Sequence, residues 1–325
     1  MIEHVASTTS SYALNFGLLN EVMMGLSHSP KNLPAKLLYD KRGSELFERI
    51  CRVKEYYPTR AETEILMDHA SSIAKLLGPG AMIIEPGSGA GEKIRYLLPY
   101  LSSPVGYVPI EISTEILNRM TIELKDEYPK LPVFPVSADF TQDFTLPEEI
   151  LSWDGRKTIF FPGSTIGNLN PDDAVDFLAR MASLAGPGGG LLIGVDTKKD
   201  PKLLKLAYDD PTGVTAQFNL NLLGRINREA QGDFKPQNFE HVAFYNEKEG
   251  RMEMHLLSKV DHEVRIHNTT FRFRAGETIH TENSYKYSIS EFEELAARAG
   301  FNLIEWWQDS DDLFCVYYFK LGANV

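Results

Sequence analysis

The sequence predicts an α/β fold with a doubly wound, mostly parallel sheet, and three features point to it. Short apolar runs alternate with helix-forming segments between residues 61 and 196. One such run, residues 81–84, leads into the segment Glu-Pro-Gly-Ser-Gly-Ala-Gly of residues 85–91 and then into a helix-forming run. Two further strand-like runs close the chain. A strand, a glycine turn and a helix form the first unit of such a sheet, whose ligands bind at the carboxyl ends of strands.

The elements follow one another in a regular order. Helices are predicted over residues 18–26, 45–50, 61–77, 114–128, 172–185, 201–208, 215–229 and 291–299. Strands are predicted over residues 81–84, 106–113, 133–140, 191–196, 252–257, 263–267, 269–273, 301–307 and 313–321, and residues 157–168 are predicted to form a strand with its terminal loop. This alternation implies parallel strands joined by right-handed crossovers, and the last two strands are expected to form an antiparallel hairpin.

The N-terminal region is predicted to hold a loose arm followed by helices. Residues 1–11 are polar and rich in Ser and Thr. Pro58 interrupts the helical pattern, because proline ends helices and disfavours helix at the residue before it. Thr59 is then expected to cap the helix over residues 61–77, whose acidic first turn suits the helix dipole.

A change of pattern predicts two domains. The alternation of strands and helices occupies residues 61–196 and resumes over residues 286–325. In the interval, runs of alternating polar and apolar residues become frequent, as in half-buried strands. We expect residues 1–60 and 197–285 to form a second, α+β domain that binds the substrate.

The composition disfavours several classes of partner. A net charge of −12 and a pI near 5.2 argue against nucleic acid, which usually requires a basic face. No apolar run approaches the roughly 18–20 residues that span a bilayer, so no membrane partner is expected. Only Cys51 and Cys315 occur, which favours the reducing cytoplasm. The histidines lack metal-ligand spacing, so we expect no metal. A monomer is also expected.

The glycine turn narrows the choice of cofactor. The dinucleotide fingerprint requires a glycine where Glu92 stands, and Glu85 would repel a pyrophosphate. A carboxylate at that position suits a cationic ligand instead. The segment resembles the first motif of S-adenosylmethionine-dependent methyltransferases, whose cofactor is a sulfonium cation. Glu111 lies 24 residues after Gly87, near the spacing at which an acidic residue binds the ribose hydroxyls. In such enzymes the position of Asp139 binds the adenine amino group. The expected cofactor-binding residues are Glu85, Gly87, Ser88, Gly89, Lys93, Glu111, Asp139 and Phe140.

Six segments in both predicted domains carry a more specific resemblance. They are residues 38–40 (LYD), 55–60 (EYYPTR), 163–169 (GSTIGNL), 208–210 (YDD), 213–219 (GVTAQFN) and 281–284 (TENS). From about residue 30 to the C-terminus the chain resembles the L-histidine Nα-methyltransferase family of ergothioneine biosynthesis. The resemblance implies a Rossmann-like class I methyltransferase fold, with three S-adenosylmethionine equivalents converting histidine to the betaine hercynine. Gly91 departs from the pattern, since a serine is expected there.

The resemblance also implies residues that bind the two ends of histidine. Asn168 and Tyr208 would hold the carboxylate, whereas Glu282 and Ser284, with Tyr56, would bind the imidazole. The physical logic is independent of the family, because an imidazole carries a ring N–H donor that a carboxylate selects. Such a site rejects ligands that leave its polar group unpaired by as much as roughly 10⁴-fold.

The remaining implied residues surround the reacting amine. Tyr39, Gly163 and Thr215 would line the space around the α-amine, and Met254 would form a wall of the ring pocket. The implied catalytic residues are Tyr39, Gly163 and Asn168. The amine must lose its proton before it attacks the methyl group, and no histidine or lysine stands out as a base. We expect catalysis by positioning, with Tyr39 or a water accepting the proton.

Other functions remain open at this level. A methyltransferase of the same fold acting on another aromatic amino acid or a related amine is the main alternative, although such a substrate gains nothing from Glu282 beside its ring. A nucleic-acid or protein methyltransferase is disfavoured by the acidity and by the absence of an Asn-Pro-Pro-aromatic loop. Glu92 disfavours a nicotinamide-dependent oxidoreductase. Four intact carboxylates disfavour a non-catalytic binding module: Glu85, Glu111, Asp139 and Glu282.

Overall fold

The computed structural model describes residues 15–142 and 144–322, which fall into two compact units. The predicted loose arm at residues 1–11 lies outside the described part of the chain. The smaller unit contains residues 15–55, 204–245 and 252–282, and the larger unit contains the rest. The boundaries differ from the prediction at residues 56–60, 197–203, 246–251 and 283–285, which belong to the larger unit.

The helices and strands have the following bounds. The helices are α1 (Phe16–Ser27), α2 (Lys41–Ile50), α3 (Tyr57–Leu77), α4 (Ile94–Leu97), α5 (Thr114–Glu127), α6 (Glu148–Leu151), α7 (Pro171–Ala185), α8 (Pro201–Tyr208), α9 (Val214–Glu229) and α10 (Ile289–Arg298). The strands are β1 (Lys31–Asn32), β2 (Met82–Pro86), β3 (Gly106–Glu111), β4 (Val136–Ser137), β5 (Lys157–Phe161), β6 (Gly190–Asp196), β7 (Phe239–Asn246), β8 (Arg251–Ser258), β9 (His262–Ile266), β10 (Thr269–Phe273), β11 (Thr278–Tyr285), β12 (Phe301–Gln308) and β13 (Phe314–Leu321).

The larger unit is built on a seven-stranded sheet in the order β12-β13-β6-β5-β2-β3-β4. The strands from β6 to β4 pair in parallel, and β13 is antiparallel to both β6 and β12. This arrangement confirms the predicted α/β sheet with its closing hairpin. The order reverses beside β2, because the chain winds from β2 to β3 on one side and later to β5 on the other. Ligands of doubly wound sheets bind outside the strand ends at such a point.

The central strands of this sheet are buried on both faces, because helices cover both. Along β2, Met82 and Ile84 join one core with Phe177 of α7, whereas Ile83 joins a second core with Ile73 of α3. Successive strand residues point to opposite faces, which accounts for the division. Complete burial of one such side chain stabilises the fold by roughly 1.5–3 kcal/mol.

Two elements of the larger unit differ from the sequence prediction. The prediction that Thr59 caps α3 was wrong, since the helix begins at Tyr57 and Pro58 lies in its first turn. Proline is tolerated there because the N–H groups of the first turn have no partner within the helix. The strand predicted over residues 133–140 shortens to β4, preceded by an isolated bridge from Val133 to Tyr107. Pro135 lies between these pairings and cannot donate a backbone hydrogen bond.

The smaller unit combines helices with a second sheet. Its helices α1, α2, α8 and α9 accompany a four-stranded sheet in the order β1-β11-β8-β7 and the hairpin of β9 and β10. Helix α2 begins earlier than predicted, because the Asp40 side chain caps it by accepting the Gly43 N–H. Strands β7 and β11 were not predicted from the sequence. None of the described helices is both long enough and apolar enough to cross a membrane.

Candidate functional site

The glycine turn after β2 requires a backbone that only glycine adopts readily. Gly87 has φ of 71°, in the left-handed region. A β-carbon at this position would lie 2.9 Å from the Phe140 ring, so the structure brings these two predicted residues together. The Gly89 N–H donates to the Glu111 carboxylate at 3.0 Å. The turn therefore places backbone, an aromatic ring and a carboxylate at the ends of β2 and β3.

The remaining polar groups near this turn differ in their hydrogen-bond partners. The Ser88 hydroxyl is buried and has no hydrogen-bond partner among the described residues. Glu111 accepts one N–H at each oxygen and keeps lone pairs for further donors. Asp139 accepts hydrogen bonds from the N–H and the hydroxyl of Thr141, which stabilise the turn over residues 139–141. An unpaired buried hydroxyl and half-buried carboxylates suit a polar ligand with hydroxyl and amino groups.

Glu85 ends β2 with a buried carboxyl group. The Tyr107 hydroxyl donates to its Oε2 at 2.6 Å. Burial raises the pKa of Glu85 to about 8, although this hydrogen bond and the positive charge of Lys93 favour the ionised form. The side chain is therefore largely neutral at pH 7 in the isolated protein. A cationic ligand nearby would favour its ionisation.

A second buried acid, Glu62 of α3, was not predicted as a site residue. Its two oxygens each accept the Gly163 N–H at 2.9 Å, and it forms an ion pair with Lys93. Gly163 has φ of 86°, and a β-carbon there would lie 3.1 Å from the Lys93 Nζ. Glu62 thus joins the helix after the glycine turn to the loop after β5. Nothing local in the sequence marks this role, because Glu62 precedes Gly163 by about 100 residues.

The loop after β5 also connects with a buried charge cluster at the end of β6. Ser164 has φ of 56°, which is uncommon outside glycine, and its hydroxyl accepts the Asp196 N–H at 2.9 Å. The Asp196 carboxylate binds Lys286 Nζ at 2.6 Å and Lys199 Nζ at 2.5 Å. The Tyr57 hydroxyl donates to the same carboxylate at 2.8 Å. The sequence reading missed this cluster, whose members lie far apart in the chain.

Four predicted substrate residues belong to the larger unit. Asn168 is half-buried at the end of a short 3₁₀ helix in the loop after β5. Tyr56 is buried and immediately precedes α3. Ser284 is buried near the end of β11, and its hydroxyl accepts a hydrogen bond from Lys286 at 2.8 Å. Gly163 is held by Glu62 as described above.

In the smaller unit, Tyr39 lies near two other predicted site residues, Glu282 and Tyr208. Its ring packs edge-on against Phe47 and Phe218 at centroid distances of 5.5 and 5.4 Å. Burial raises the pKa of Tyr39 well above its ordinary value, and the nearby charge of Glu282 raises it further, with a smaller contribution from Tyr208. The fold therefore places Glu282 and Tyr208 close enough to Tyr39 for their charges to affect its pKa. It also keeps the Tyr39 hydroxyl protonated near neutral pH.

Two aspartates hold the loops that carry these side chains. Asp40, next to Tyr39, accepts the Asn221 amide at 2.7 Å and pairs with Arg228, both of α9. Asp210, two residues after Tyr208, accepts the Thr215 N–H at 2.7 Å. Burial alone would raise the pKa of Asp210, but its hydrogen bonds lower that pKa to about 2. These carboxylate contacts explain why aspartates accompany the predicted tyrosines.

The four-stranded sheet carries the other predicted residues of the smaller unit. Met254 on β8 is 2% exposed, and its carbonyl accepts the Thr281 hydroxyl at 3.0 Å. Near them, Glu253, His255 and His280 offer ligand atoms within 4.8 Å of one another. The two imidazoles stack with centroids 4.5 Å apart and planes 12° apart. Imidazole lone pairs lie in the ring plane, so stacked rings do not converge on one ion, and this geometry does not favour a metal centre.

Comparison with known proteins identifies the family. A family model described as histidine-specific methyltransferase, SAM-dependent, matches residues 18–321. The chain belongs to this family. It is 40% identical over 311 residues to Histidine N-alpha-methyltransferase of Mycobacterium tuberculosis (strain CDC 1551 / Oshkosh), covering 94% of this chain and 95% of that protein. It is 36% identical to the protein of the same name from Mycolicibacterium smegmatis (strain ATCC 700084 / mc(2)155), covering 95% of each.

A longer fungal protein is also similar. Ergothioneine biosynthesis protein 1 of Neurospora crassa (strain ATCC 24698 / 74-OR23-1A / CBS 708.71 / DSM 1257 / FGSC 987) is 34% identical over 316 residues, which make up 91% of this chain and 34% of that protein. Membership of the histidine-specific methyltransferase family confirms the predicted enzyme class, the S-adenosylmethionine cofactor and the Rossmann-like class I fold. The glycine turn, the unpaired Ser88 hydroxyl and Glu111 are suited to hold that cofactor.

Proposed function

We propose that this enzyme catalyses the S-adenosylmethionine-dependent Nα-trimethylation of L-histidine to hercynine, an early step of ergothioneine biosynthesis. The observation that carries the proposal is the placement of Glu282 beside Tyr39 and Tyr208 in the smaller unit. A carboxylate in that aromatic setting accepts the N–H of an imidazole, whereas a phenyl ring offers no such donor. The substrate is a small molecule, and we propose that the enzyme acts as a cytoplasmic monomer.

The substrate contacts follow from side-chain chemistry. We assign Glu282 and Ser284, with Tyr56, to the imidazole, and Asn168 and Tyr208 to the carboxylate. Amide and phenol groups donate hydrogen bonds to a carboxylate without placing a positive charge beside the α-amine.

The amine and cofactor contacts are assigned in the same way. Tyr39, Gly163 and Thr215 line the amine, and Met254 packs against the ring. The cofactor contacts are assigned to Glu85, Gly87, Ser88, Gly89, Lys93, Glu111, Asp139 and Phe140.

The chemistry consists of three successive methyl transfers. Bound S-adenosylmethionine supplies an electrophilic methyl group on a cationic sulfur. In each transfer the nitrogen lone pair forms the new N–C bond while the C–S electron pair returns to sulfur. The nitrogen must be unprotonated at that moment, so a histidine that arrives as an ammonium loses one proton before each of the three transfers.

The proton acceptor in this scheme is water. The raised pKa of Tyr39 makes its phenolate scarce, so we assign the neutral hydroxyl a positioning role. Near-attack orientation is then the main source of rate enhancement. The fixed positive charge of the final product suits aromatic neighbours such as Tyr39.

One experiment tests the proposal directly. Purified protein is incubated with S-adenosylmethionine and each of the twenty amino acids, and the products are analysed by mass spectrometry. We expect a gain of three methyl groups on histidine alone. A gain on tryptophan or another aromatic amino acid in preference to histidine would contradict the proposal and favour the alternative substrate class.

A further inference from the structure

The buried cluster at the end of β6 contains two lysines that share one carboxylate. Lys286 and Lys199 both bind Asp196, and all three side chains are almost completely inaccessible to solvent. Removing charges from water is costly, and buried ion pairs are weak evidence for stability alone. Stability alone is therefore a weak explanation for this cluster at the end of a sheet strand.

The two lysines differ in what else they contact. Lys199 donates to the Tyr57 hydroxyl at 2.8 Å and to the Thr197 carbonyl. Lys286 instead donates to the Ser284 hydroxyl at 2.8 Å. An ammonium group has three donors and no acceptor, so the Ser284 oxygen must be the acceptor in this contact. The ammonium also polarises the serine O–H and strengthens it as a donor.

We propose that Lys286 is a positioning residue that sets the Ser284 hydroxyl as a hydrogen-bond donor toward the substrate ring. This inference rests on the proposed function. A neutral imidazole offers one N–H donor and one lone-pair acceptor. Glu282 accepts the N–H, and Ser284 donates to the unprotonated nitrogen. The pair thereby selects a neutral imidazole in one tautomer, and Asp196 keeps Lys286 charged and in place.

A double-mutant cycle tests this role against a purely structural one. The variants are Ser284→Ala, Lys286→Met and their combination, with histidine KM and kcat measured separately. Each single change is expected to raise KM about tenfold, which corresponds to one lost hydrogen bond involving a charged or polarised group. The combination is expected to raise KM by no more than about twofold beyond either single change, because Lys286 acts through Ser284. The value of kcat should change less than KM.

Lys199→Met is the matched control. It removes the other buried lysine from the same carboxylate but leaves the Ser284 contact intact. We expect its histidine KM to stay within about twofold of wild type, even where its melting temperature falls as far as that of Lys286→Met. Equal effects of the two lysine changes on KM would overturn the proposal, as would additive effects in the cycle.

Two provisions keep the result interpretable. If Lys286→Met does not fold, Lys286→Gln removes the positive charge, keeps an amide that can bond to Asp196 and leaves the Asp196–Lys199 pair balanced, and the same cycle with Ser284→Ala is run with that variant. Wild-type trimethylation of histidine is measured first. Its absence contradicts the proposed function, whereas its presence with an additive cycle contradicts only the role of Lys286.

Discussion

The glycine turn of the larger unit and the tyrosine cluster of the smaller unit are organised differently. In the turn, Gly87, Ser88 and Gly89 are consecutive, and the positive φ angles of the two glycines determine its shape. In the cluster, Tyr39, Tyr208 and Glu282 come from three distant segments and depend on side-chain charge and burial. A general cofactor can be bound by a local motif, whereas the choice of one amino acid requires groups collected from along the chain.

Glu282→Ala is expected to show the largest difference between an effect on histidine turnover and an effect on cofactor binding. The variant should lose about 10³-fold in kcat/KM for histidine, because the ring N–H would no longer have its acceptor. Its affinity for S-adenosylmethionine, measured by titration calorimetry, should stay within about threefold of wild type. Glu263→Ala on the exposed side of β9 is the control. A parallel loss of cofactor affinity would contradict the separation.

Glu85→Gln tests whether the buried carboxyl group before the glycine turn has a raised pKa. The pKa of Glu85 is about 8, against an ordinary value of 4.5. Between these values the folded protein holds a proton that the unfolded chain has released. The stability contributed by protonated Glu85 is therefore complete below pH 4.5 and is lost as pH rises toward 8.

The glutamine side chain does not titrate. The free energy of unfolding of the variant, relative to that of wild type, should therefore rise by roughly 3 kcal/mol between pH 5 and 7.5. Urea denaturation at several pH values measures the difference. Curves for the two proteins that run parallel across this range would show that Glu85 is already ionised.

Gly87→Ala addresses the backbone of the turn. A β-carbon there must tolerate φ of 71° and a 2.9 Å approach to Phe140. We expect the dissociation constant for S-adenosylmethionine to rise about 100-fold, since both effects displace the turn. Gly89→Ala lies in the same turn, with φ of 52° but nothing within 4 Å of the added carbon, so it reports the conformational cost alone. Equal effects on cofactor binding would exclude the collision as the cause.

Glu62→Gln probes the link between the glycine turn and the loop after β5. The amide still accepts the Gly163 N–H but no longer balances the Lys93 charge. The expected cost is about 2 kcal/mol of unfolding free energy, less than for a fully buried pair because Lys93 is partly exposed. Asp68→Asn, an exposed position on the same helix, should have little effect. Identical chemical-denaturation midpoints for the two variants would argue against the ion pair.

The sequence was most informative where structure is local. The apolar run of β2, the glycines after it and the spacing to Glu111 depend on near neighbours, so their pattern predicts the sheet and the cofactor turn. The proposed substrate residues could be named only through the resemblance of whole segments. Glu62 and the Asp196 cluster were missed because each contact joins residues far apart in the chain. Thr59 was assigned as a cap because its residue type fits, although Pro58 already fits the first turn of the helix.

The most direct test of the account is a crystal structure of the enzyme with S-adenosylhomocysteine and histidine bound together. We expect a ring N–H of histidine within hydrogen-bond distance of the Glu282 carboxylate, and the α-amine facing the sulfur of the cofactor product. A histidine ring bound elsewhere, with Glu282 directed into solvent, would contradict the account.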